Sequence, residues 1–229
     1  MKYKAVIFDL FGTLVDVFSL SEHEEMLKNL GAVIDVPYEE FRPVWYEATK
    51  NRNIGIYPTS RENIVYICKK LGVSADEQKV ERALEIRFEF VRRAMVPRND
   101  AVQVLSQIRT RGMKTGLISN STPIVTEIWP ETPFPPHFDT AVFSCTEGIK
   151  KPDMRIYRLA LERLRIKPED CLYIGDGDSN ELTGAGETGM YPVLIRVDYE
   201  TDPDHTIADR QEWDGPMISS LTEVLELVK

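Results

Sequence analysis

The fold is decided near the start of the chain by the stretch VIFDLFGTLVD, residues 6–16. The overlapping run KAVIFD, residues 4–9, is short and apolar without strict alternation, as expected of a strand covered on both faces. Asp9 ends this run, and Gly12 and Thr13 follow, so the chain turns sharply. We therefore expect a carboxylate at the carboxyl end of a buried strand, where open α/β sheets bind ligands. A turn aspartate that accepts backbone N–H bonds is the alternative.

Further runs of the same kind follow along the chain. They are KTGLIS (114–119), TAVFS (140–144), CLYIG (171–175) and PVLIR (192–196). Between them lie apolar residues at helical spacing, for example Ile156, Ala160 and Leu164. This alternation predicts an α/β fold with a doubly wound, Rossmann-like parallel sheet.

Residues 17–96 interrupt the alternation, because no strand-like run occurs there and four helical segments can be distinguished. One segment has a capping box at its start, since Thr59 and Glu62 are three residues apart. We predict that 17–96 form a smaller all-helical cap over the carboxyl edge of the sheet, and that 1–16 and 97–229 form the core.

Composition limits the kinds of partner. The chain has 229 residues, 42% of them hydrophobic and 28% charged, which suits one α/β core with a smaller second domain. A net charge of -9 without a long Lys/Arg run disfavours nucleic acid. No apolar stretch approaches the roughly 18 residues of a membrane span, and the first residues lack the layout of a cleavable signal. We expect a cytoplasmic monomer or homodimer without a membrane partner.

Two later strands also end in polar residues. Ser119 and Asn120 offer a hydroxyl and backbone N–H groups to an anionic oxygen, although such residues also occur in ordinary turns and helix caps. Pro152 suits the first position of the next helix and pushes Lys151 into an extended conformation. The Lys151 ammonium can then reach an anion or a carboxylate across the strand ends. Lys150 is the spare candidate, and a solvated surface lysine is the alternative for both.

Acidic residues follow the predicted strand 171–175. Carboxylates at this edge of the sheet suit Mg²⁺, which prefers hard oxygen ligands, and we take Asp176 as the direct ligand. Asp178 and Glu181 have the spacing of a helix N-cap and its reciprocal partner. Asp178 is therefore assigned mainly to the helix cap, whereas Glu181 is retained both as a cap and as a metal-site candidate.

Together, these segments resemble the haloacid dehalogenase-like (HAD) hydrolase superfamily over residues 4–16 and 97–196. The family's first motif is an Asp followed two residues later by an acid or an aromatic and then by Gly-Thr, which matches Asp9, Phe11, Gly12 and Thr13. Its later motifs match Ser119, Lys151 and the pair of Asp176 and Glu181. The helical segment after the first motif matches the helical cap class of the family.

The resemblance implies a mechanism. Asp9 would attack phosphorus and form an aspartyl-phosphate, which water then hydrolyses. Mg²⁺ would be held by Asp9, the backbone carbonyl of Phe11 and Asp176, while Ser119 and Lys151 stabilise the developing charge. The substrate would be a small anionic molecule, with a phosphate ester favoured.

Phe11 departs from the phosphatase pattern, in which an aspartate protonates the leaving oxygen. We therefore expect a preference for aryl, enol or acyl phosphates, or a cap residue that replaces the missing acid. The first alternative function is a 2-haloacid dehalogenase, because these relatives carry an aromatic at this position; their acidic motif, however, lacks the metal-binding Asp that Asp176 matches. The second alternative is a protein that binds a phosphorylated metabolite without turning it over.

Four residues are predicted to contact the substrate. Thr13 and Asn120 are the candidates in the core. Arg52 and Arg61 flank a Gly/Pro-containing loop between two cap helices and are candidates for holding an anionic group. The acidic tail segment 198–216 is interpreted as a surface loop rather than as a second metal site.

Overall fold

The computed structural model describes residues 3–196, 204 and 211–229. Within these ranges the strands are β1 (Ala5–Phe8), β2 (Lys114–Ser119), β3 (Thr140–Phe143), β4 (Cys171–Gly175), β5 (Tyr191–Ile195) and β6 (Met217–Ile218). The α-helices are α1 (Leu20–Val33), α2 (Tyr38–Glu47), α3 (Thr49–Asn53), α4 (Ser60–Leu71), α5 (Glu77–Ala94), α6 (Ala101–Thr110), α7 (Pro123–Ile128), α8 (Ser144–Glu147), α9 (Met154–Leu164), α10 (Glu181–Glu187) and α11 (Val224–Leu227). Of the predicted tail loop, residues 198–203 and 205–210 lie outside the described part of the chain.

The strands form one parallel sheet in the order β3-β2-β1-β4-β5-β6. The strand β1 lies near the centre, with Phe8 opposite Leu117 of β2 and Ile174 of β4. This arrangement confirms the predicted doubly wound α/β fold. The sequence did not predict β6, because two residues are too few to show a pattern.

Helices cover both faces of the sheet. Phe8 packs in one hydrophobic cluster with Leu105 of α6, whereas its neighbour Ile7 packs in another with Tyr157 of α9. Successive side chains of a strand point to opposite faces, so both faces of β1 are buried. This burial explains why the strand sequences are continuously apolar rather than alternating.

The regular elements of the segment between β1 and α6 are helices, apart from isolated β-bridges at Phe11, Val15 and Pro97, and the segment has its own hydrophobic core. Leu30, Phe41, Trp45 and Ile67 from three of its helices are all buried in one cluster. It contains five helices rather than four, because the five-residue α3 carries no periodic pattern of its own. The division of the chain into a cap of residues 17–96 and a core stays a prediction.

The predicted capping box of α4 is confirmed. The Thr59 hydroxyl accepts from the Glu62 backbone N–H at 3.2 Å, and the Glu62 carboxylate accepts from the Thr59 N–H at 3.0 Å. At the other end, Gly72 has a left-handed φ of 71° and ends the helix. Across the described residues, every helix is too short or too polar to cross a membrane.

Candidate active site

The loops that follow β1 and β4 meet at the carboxyl edge of the sheet. Asp9 directly follows β1, and its backbone N–H donates to the Ile174 carbonyl of β4 at 2.9 Å. Gly12 has a φ of +79°, and a Cβ there would lie only 1.9 Å from Oδ2 of Asp176. The glycine therefore allows the loop after β1 to pass directly against the Asp176 carboxylate.

Lys151 reaches across the strand ends, as predicted. Its Nζ lies 2.5 Å from Oδ1 of Asp9 and 2.5 Å from Oε2 of Glu181. The Tyr173 hydroxyl of β4 also donates to Oε2 of Glu181, at 2.7 Å. All these side chains are buried, whereas Lys150 is exposed. The structure therefore places Lys151, and not Lys150, against these carboxylates, together with Tyr173, which the sequence did not indicate.

Asn120 holds Lys151 in place through the backbone. Its Oδ1 accepts from the Lys151 N–H at 2.8 Å, and its Nδ2 donates to the Lys151 carbonyl at 3.3 Å. The prediction that Pro152 occupies the first position of the next helix is wrong. The Lys151–Pro152 peptide bond is cis, and α9 begins two residues later, at Met154, because the Asp153 side chain caps its first turn.

Three buried carboxylates lie together at this edge. Oxygen atoms of Asp9, Asp176 and Glu181 all lie within 4.8 Å of one another. When ionised, these groups carry three negative charges against the single positive charge of Lys151. Oδ2 of Asp9 is buried and has no hydrogen-bond partner in the described part of the chain. A divalent cation fits this set, because it supplies both the charge and the ligation that hard oxygen atoms can use.

The pKa values of two of these acids reflect the crowding. Burial raises the pKa of Asp9 to about 7; Lys151 opposes the rise, and the charge of Glu181 adds to it. Burial, followed by the charges of Glu181 and Asp9, also raises the pKa of Asp176 well above its usual range. Since a bound cation favours the ionised forms, cation binding and ionisation of these acids are coupled.

The predicted helix cap by Asp178 is wrong. The helix α10 begins at Glu181, and its N-cap, Asn180, is left-handed and makes no side-chain capping bond. Ser179 and Asn180, between Asp178 and the helix, are both left-handed, so Asp178 does not occupy the N-cap position. The Glu181 carboxylate instead accepts from the Gly177 N–H at 3.0 Å and fills the space that a Cβ on Gly175 would occupy.

Buried hydroxyls without a described partner also occur at this edge, among them those of Ser119 and Thr13. Oγ of Ser119 and Oγ1 of Thr13 are buried without a hydrogen bond to any described residue. Buried polar atoms are nearly always paired, so such atoms indicate where a ligand donates or accepts. Ser119 ends β2, the strand next to β1, which is the position predicted for it.

A cavity of about 360 Å³ lies between the helical segment and the edge of the sheet. On the core side it is lined by Phe11, Asn120 and Asp178. Phe11 and Asp178 each lie two residues after a site carboxylate, Asp9 and Asp176 respectively. Asn120 is hydrogen-bonded to Lys151. On the other side it is lined by residues of the helical segment, including His23, Trp45, Arg52 and Arg87. The predicted substrate residues Asn120 and Arg52 therefore face one cavity.

Arg61 lies elsewhere. It forms ion pairs with Glu77, at 3.1 Å, and with Glu81, and its side chain is 39% exposed. The structure thus does not bring Arg61 to the cavity, whereas it adds Arg87, which the sequence analysis missed. The spacing of Arg87 in the sequence could have indicated that it faces inward. It lies three residues after Leu84 and four before Val91, on the apolar face of α5.

Phe11 joins the core to the helical segment through aromatic contacts. Its ring meets the Phe18 ring edge-on at 5.6 Å between centroids, and Phe18 in turn contacts Phe90 at 5.7 Å and His23 at 5.9 Å. Burial lowers the pKa of His23, so its imidazole is neutral at pH 7. Phe11 is therefore connected through Phe18 to the rings of Phe90 and His23.

Comparison with known proteins identifies the family. The family model described as haloacid dehalogenase-like hydrolase matches residues 3–187. A glyceraldehyde 3-phosphate phosphatase from Pyrococcus furiosus is 25% identical over 100% of this chain and 94% of its own length. An (S)-2-haloacid dehalogenase from Pseudomonas putida is 21% identical over 95% of this chain and 98% of its own length. The two activities thus occur among relatives at similar identity.

Solved structures share the fold. The crystal structure of a 2-haloacid dehalogenase from Pseudomonas syringae pv. Tomato DC3000 aligns with a TM-score of 0.73 and 21% identity, covering 99% of this chain and 98% of that one. An HAD family enzyme from Bacteroides thetaiotaomicron, in complex with magnesium and inorganic phosphate, aligns with a TM-score of 0.65 and 17% identity, covering 93% and 98%. With the family match, the sheet and the four motif segments, this chain belongs to the haloacid dehalogenase-like hydrolases.

Proposed function

We propose that this protein is a magnesium-dependent phosphatase of small molecules in which Asp9 is the nucleophile. The observation that supports the proposal most strongly is the buried group of Asp9, Asp176 and Glu181 with only one lysine among them. A divalent cation would balance the charge of this group when its acids are ionised, and phosphoryl transfer uses such a cation, whereas displacement of a halide does not.

The residues divide the reaction between them. A carboxylate oxygen of Asp9 attacks phosphorus, the bond to the leaving oxygen breaks, and water then hydrolyses the aspartyl-phosphate to inorganic phosphate. Mg²⁺, held by Asp9, Asp176 and the Phe11 carbonyl, would neutralise phosphoryl oxygens when bound. Ser119, with its unpaired hydroxyl, donates to a phosphoryl oxygen. Thr13 is proposed to contact the substrate in the same way.

Lys151 has two tasks in this proposal. It contacts Asp9 and therefore favours the ionised carboxylate against the effect of burial, and it adds positive charge where the phosphoryl group develops negative charge. Glu181 holds Lys151 from the other side. Metal ligation by Glu181 remains a proposal alongside this positioning role.

Dehalogenation is the second candidate function, and Phe11 is the observation that favours it. In that reaction Asp9 would displace halide from carbon, and water would hydrolyse the resulting aspartyl ester. Halide leaves without needing a proton, so an aromatic residue at this position costs the reaction nothing. The two candidates share the nucleophile but differ in their need for a cation.

A screen of phosphate esters and 2-haloacids, with Mg²⁺ and with EDTA, tests the proposed function. We expect hydrolysis of phosphate esters that is lost on chelation and restored by Mg²⁺. Asp176→Asn should raise the Mg²⁺ concentration needed, whereas Asp178→Asn, outside the acidic group, should not. Turnover of a 2-haloacid that survives EDTA, without phosphatase activity, would contradict the proposal. Inertness towards both classes would leave a binding protein.

Phe11 predicts a dependence on the leaving group. Because no acid stands at this position, we expect kcat for 4-nitrophenyl phosphate to exceed that for glucose 6-phosphate by about 10²-fold or more, the usual contribution of general acid catalysis. Phe11→Asp should narrow this difference. The measurement is steady-state kcat for both esters in both proteins. Faster turnover of the sugar phosphate by the wild type would overturn the prediction.

A further inference from the structure

Two arginines are buried in the wall of the cavity that belongs to the helical segment. Arg52 of α3 is 3% exposed and Arg87 of α5 is 4% exposed. They lie on the same aromatic ring, with guanidinium carbons 4.1 Å and 4.9 Å from the centroid of Trp45. Two positive charges are thus held close together away from solvent.

The neighbours of these arginines satisfy only part of their hydrogen-bonding capacity. Arg52 donates to the Trp45 carbonyl at 2.9 Å and to the Thr49 hydroxyl at 2.8 Å, which leaves further N–H groups of its guanidinium. Arg87 has no hydrogen bond from its side chain to another described residue. Neither arginine forms an ion pair with a carboxylate in the described ranges.

An unpaired buried cation is unfavourable, and the pKa values show it. Burial lowers the pKa of Arg52 to about 9, with the charge of Arg87 adding to the effect. Burial also lowers the pKa of Arg87 to about 10, and Glu127 acts in the opposite direction from beyond ion-pair distance. Buried charges are normally paired, so an anionic ligand is the missing partner.

The position of the pair relative to Asp9 defines the ligand. Arg52 and Arg87 line the same cavity as Phe11 and Asn120, which adjoin the phosphoryl site. Its volume of about 360 Å³ suits one small molecule. We infer that Arg52 and Arg87 form a second anion subsite, and that the substrate is a phosphate ester with another anionic group at its far end. This inference rests on the proposed function.

The wall of this cavity also contains aromatic rings. Phe11, Phe18 and Phe90 line the cavity, and the Phe18 ring contacts both of the others. The part of the substrate between its two anionic groups is therefore apolar or aromatic. Guanidinium groups bind carboxylate and phosphate alike, so either group satisfies the far subsite.

The test compares three substrates with one ring in common: phenyl phosphate, 4-carboxyphenyl phosphate and 1,4-phenylene bisphosphate. For the two substrates with a second anionic group, we expect the wild type to have a kcat/KM about 10–100-fold higher than for phenyl phosphate. A factor of this size corresponds to the usual free energy of a hydrogen bond to a charged group. Whichever of these two is preferred identifies the second group. Arg52→Gln and Arg87→Gln should lose this preference, so that within each variant the kcat/KM values for the three substrates become similar.

Two control variants separate binding from a structural role. Arg82→Gln removes an exposed arginine of the same helix and should keep the preference. Glu127→Gln should also keep it, because Glu127 makes no ion pair with Arg87. Equal kcat/KM for all three substrates in the wild type, or a preference that survives in both arginine variants, would overturn the inference while leaving the phosphatase intact.

A binding measurement keeps this inference separate from the proposed function. Asp9→Asn protein with Mg²⁺ is titrated calorimetrically with phenyl phosphate and with 4-carboxyphenyl phosphate. Tighter binding of the carboxylated compound, by about 10-fold or more and lost in Arg87→Gln, supports the subsite even if the wild type hydrolyses no ester. Equal affinities would overturn the subsite.

Discussion

Asp9→Asn is expected to lower kcat for an aryl phosphate by about 10³-fold or more. An amide has no negative charge and is a poor nucleophile, so the aspartyl-phosphate cannot form. The substitution keeps the size of the side chain and an oxygen that can accept from Lys151 Nζ. It also removes one of the three crowded carboxylates, so stability should not fall. Steady-state kinetics with Mg²⁺ and thermal unfolding measure both effects.

Asp16→Asn is the matched control for this variant. Asp16 lies in the same loop, is exposed and pairs with Arg98 outside the acidic group. Its replacement by asparagine is the same chemical change, and activity should stay within a few-fold of the wild type. Comparable activity in Asp9→Asn and the wild type would show that Asp9 is not the nucleophile.

Lys151→Met should lower both activity and stability. The ammonium contacts Asp9 and Glu181, and removing one partner of a buried ion pair typically costs about 3–5 kcal/mol in the free energy of unfolding. Loss of positive charge at the phosphoryl site should reduce kcat by about 10²-fold or more. Denaturant unfolding in EDTA and kinetics with saturating Mg²⁺ measure the two changes.

Lys150→Met is the control, because Lys150 is the adjacent residue and is exposed. We expect a change in the free energy of unfolding within about 0.5 kcal/mol and unchanged kinetics. Mg²⁺ should stabilise Lys151→Met more than the wild type, since the cation then faces the carboxylates without a competing ammonium. Equal losses in the two lysine variants would show that the ion pairs of Lys151 contribute little.

The core of the fold could be predicted because its strands are buried on both faces. The strand sequences AVIF (5–8) and CLYIG (171–175) carry no charged residue and are buried throughout, and this pattern is typical of the inner strands of a parallel sheet. The two-residue β6 and the five-residue α3 escaped prediction, since neither is long enough to show a period. Pro152 misled the prediction because the Asp153 side chain, two residues before Arg155, supplies the first capping bond of α9.

The carboxyl edge of the site could be predicted for a related reason. Asp9, Ser119 and Asp176 each lie at the carboxyl end of a strand, and neighbouring parallel strands end at the same edge of the sheet. The local sequence was therefore enough to predict that these residues lie close together. Asp178 could not be placed correctly, because left-handed residues turn the chain between it and α10. The left-handed conformations of Ser179 and Asn180 are not indicated by any pattern of apolar residues in the sequence.

The wall from the helical segment could not be predicted in the same way. Arg87 reaches the cavity because α5 packs against its neighbouring helices with one face inward, and that packing depends on contacts distant in sequence. Arg52 and Arg61 were equivalent candidates in the sequence. Only the tertiary structure distinguishes the two arginines. Arg61 forms ion pairs with acidic residues of α5, whereas Arg52 lies over the ring of Trp45 in the cavity wall.

The proposed mechanism requires a covalent bond between Asp9 and the phosphoryl group. The direct test is to quench the wild type in acid during turnover of phenyl phosphate, reduce it with borohydride and analyse its peptides by mass spectrometry. Borohydride reduces an acyl phosphate to an alcohol. We therefore expect an alcohol side chain at position 9 only in samples that contained both substrate and Mg²⁺. Turnover with Asp9 unmodified, and the phosphoryl group found on another residue, would contradict this mechanism.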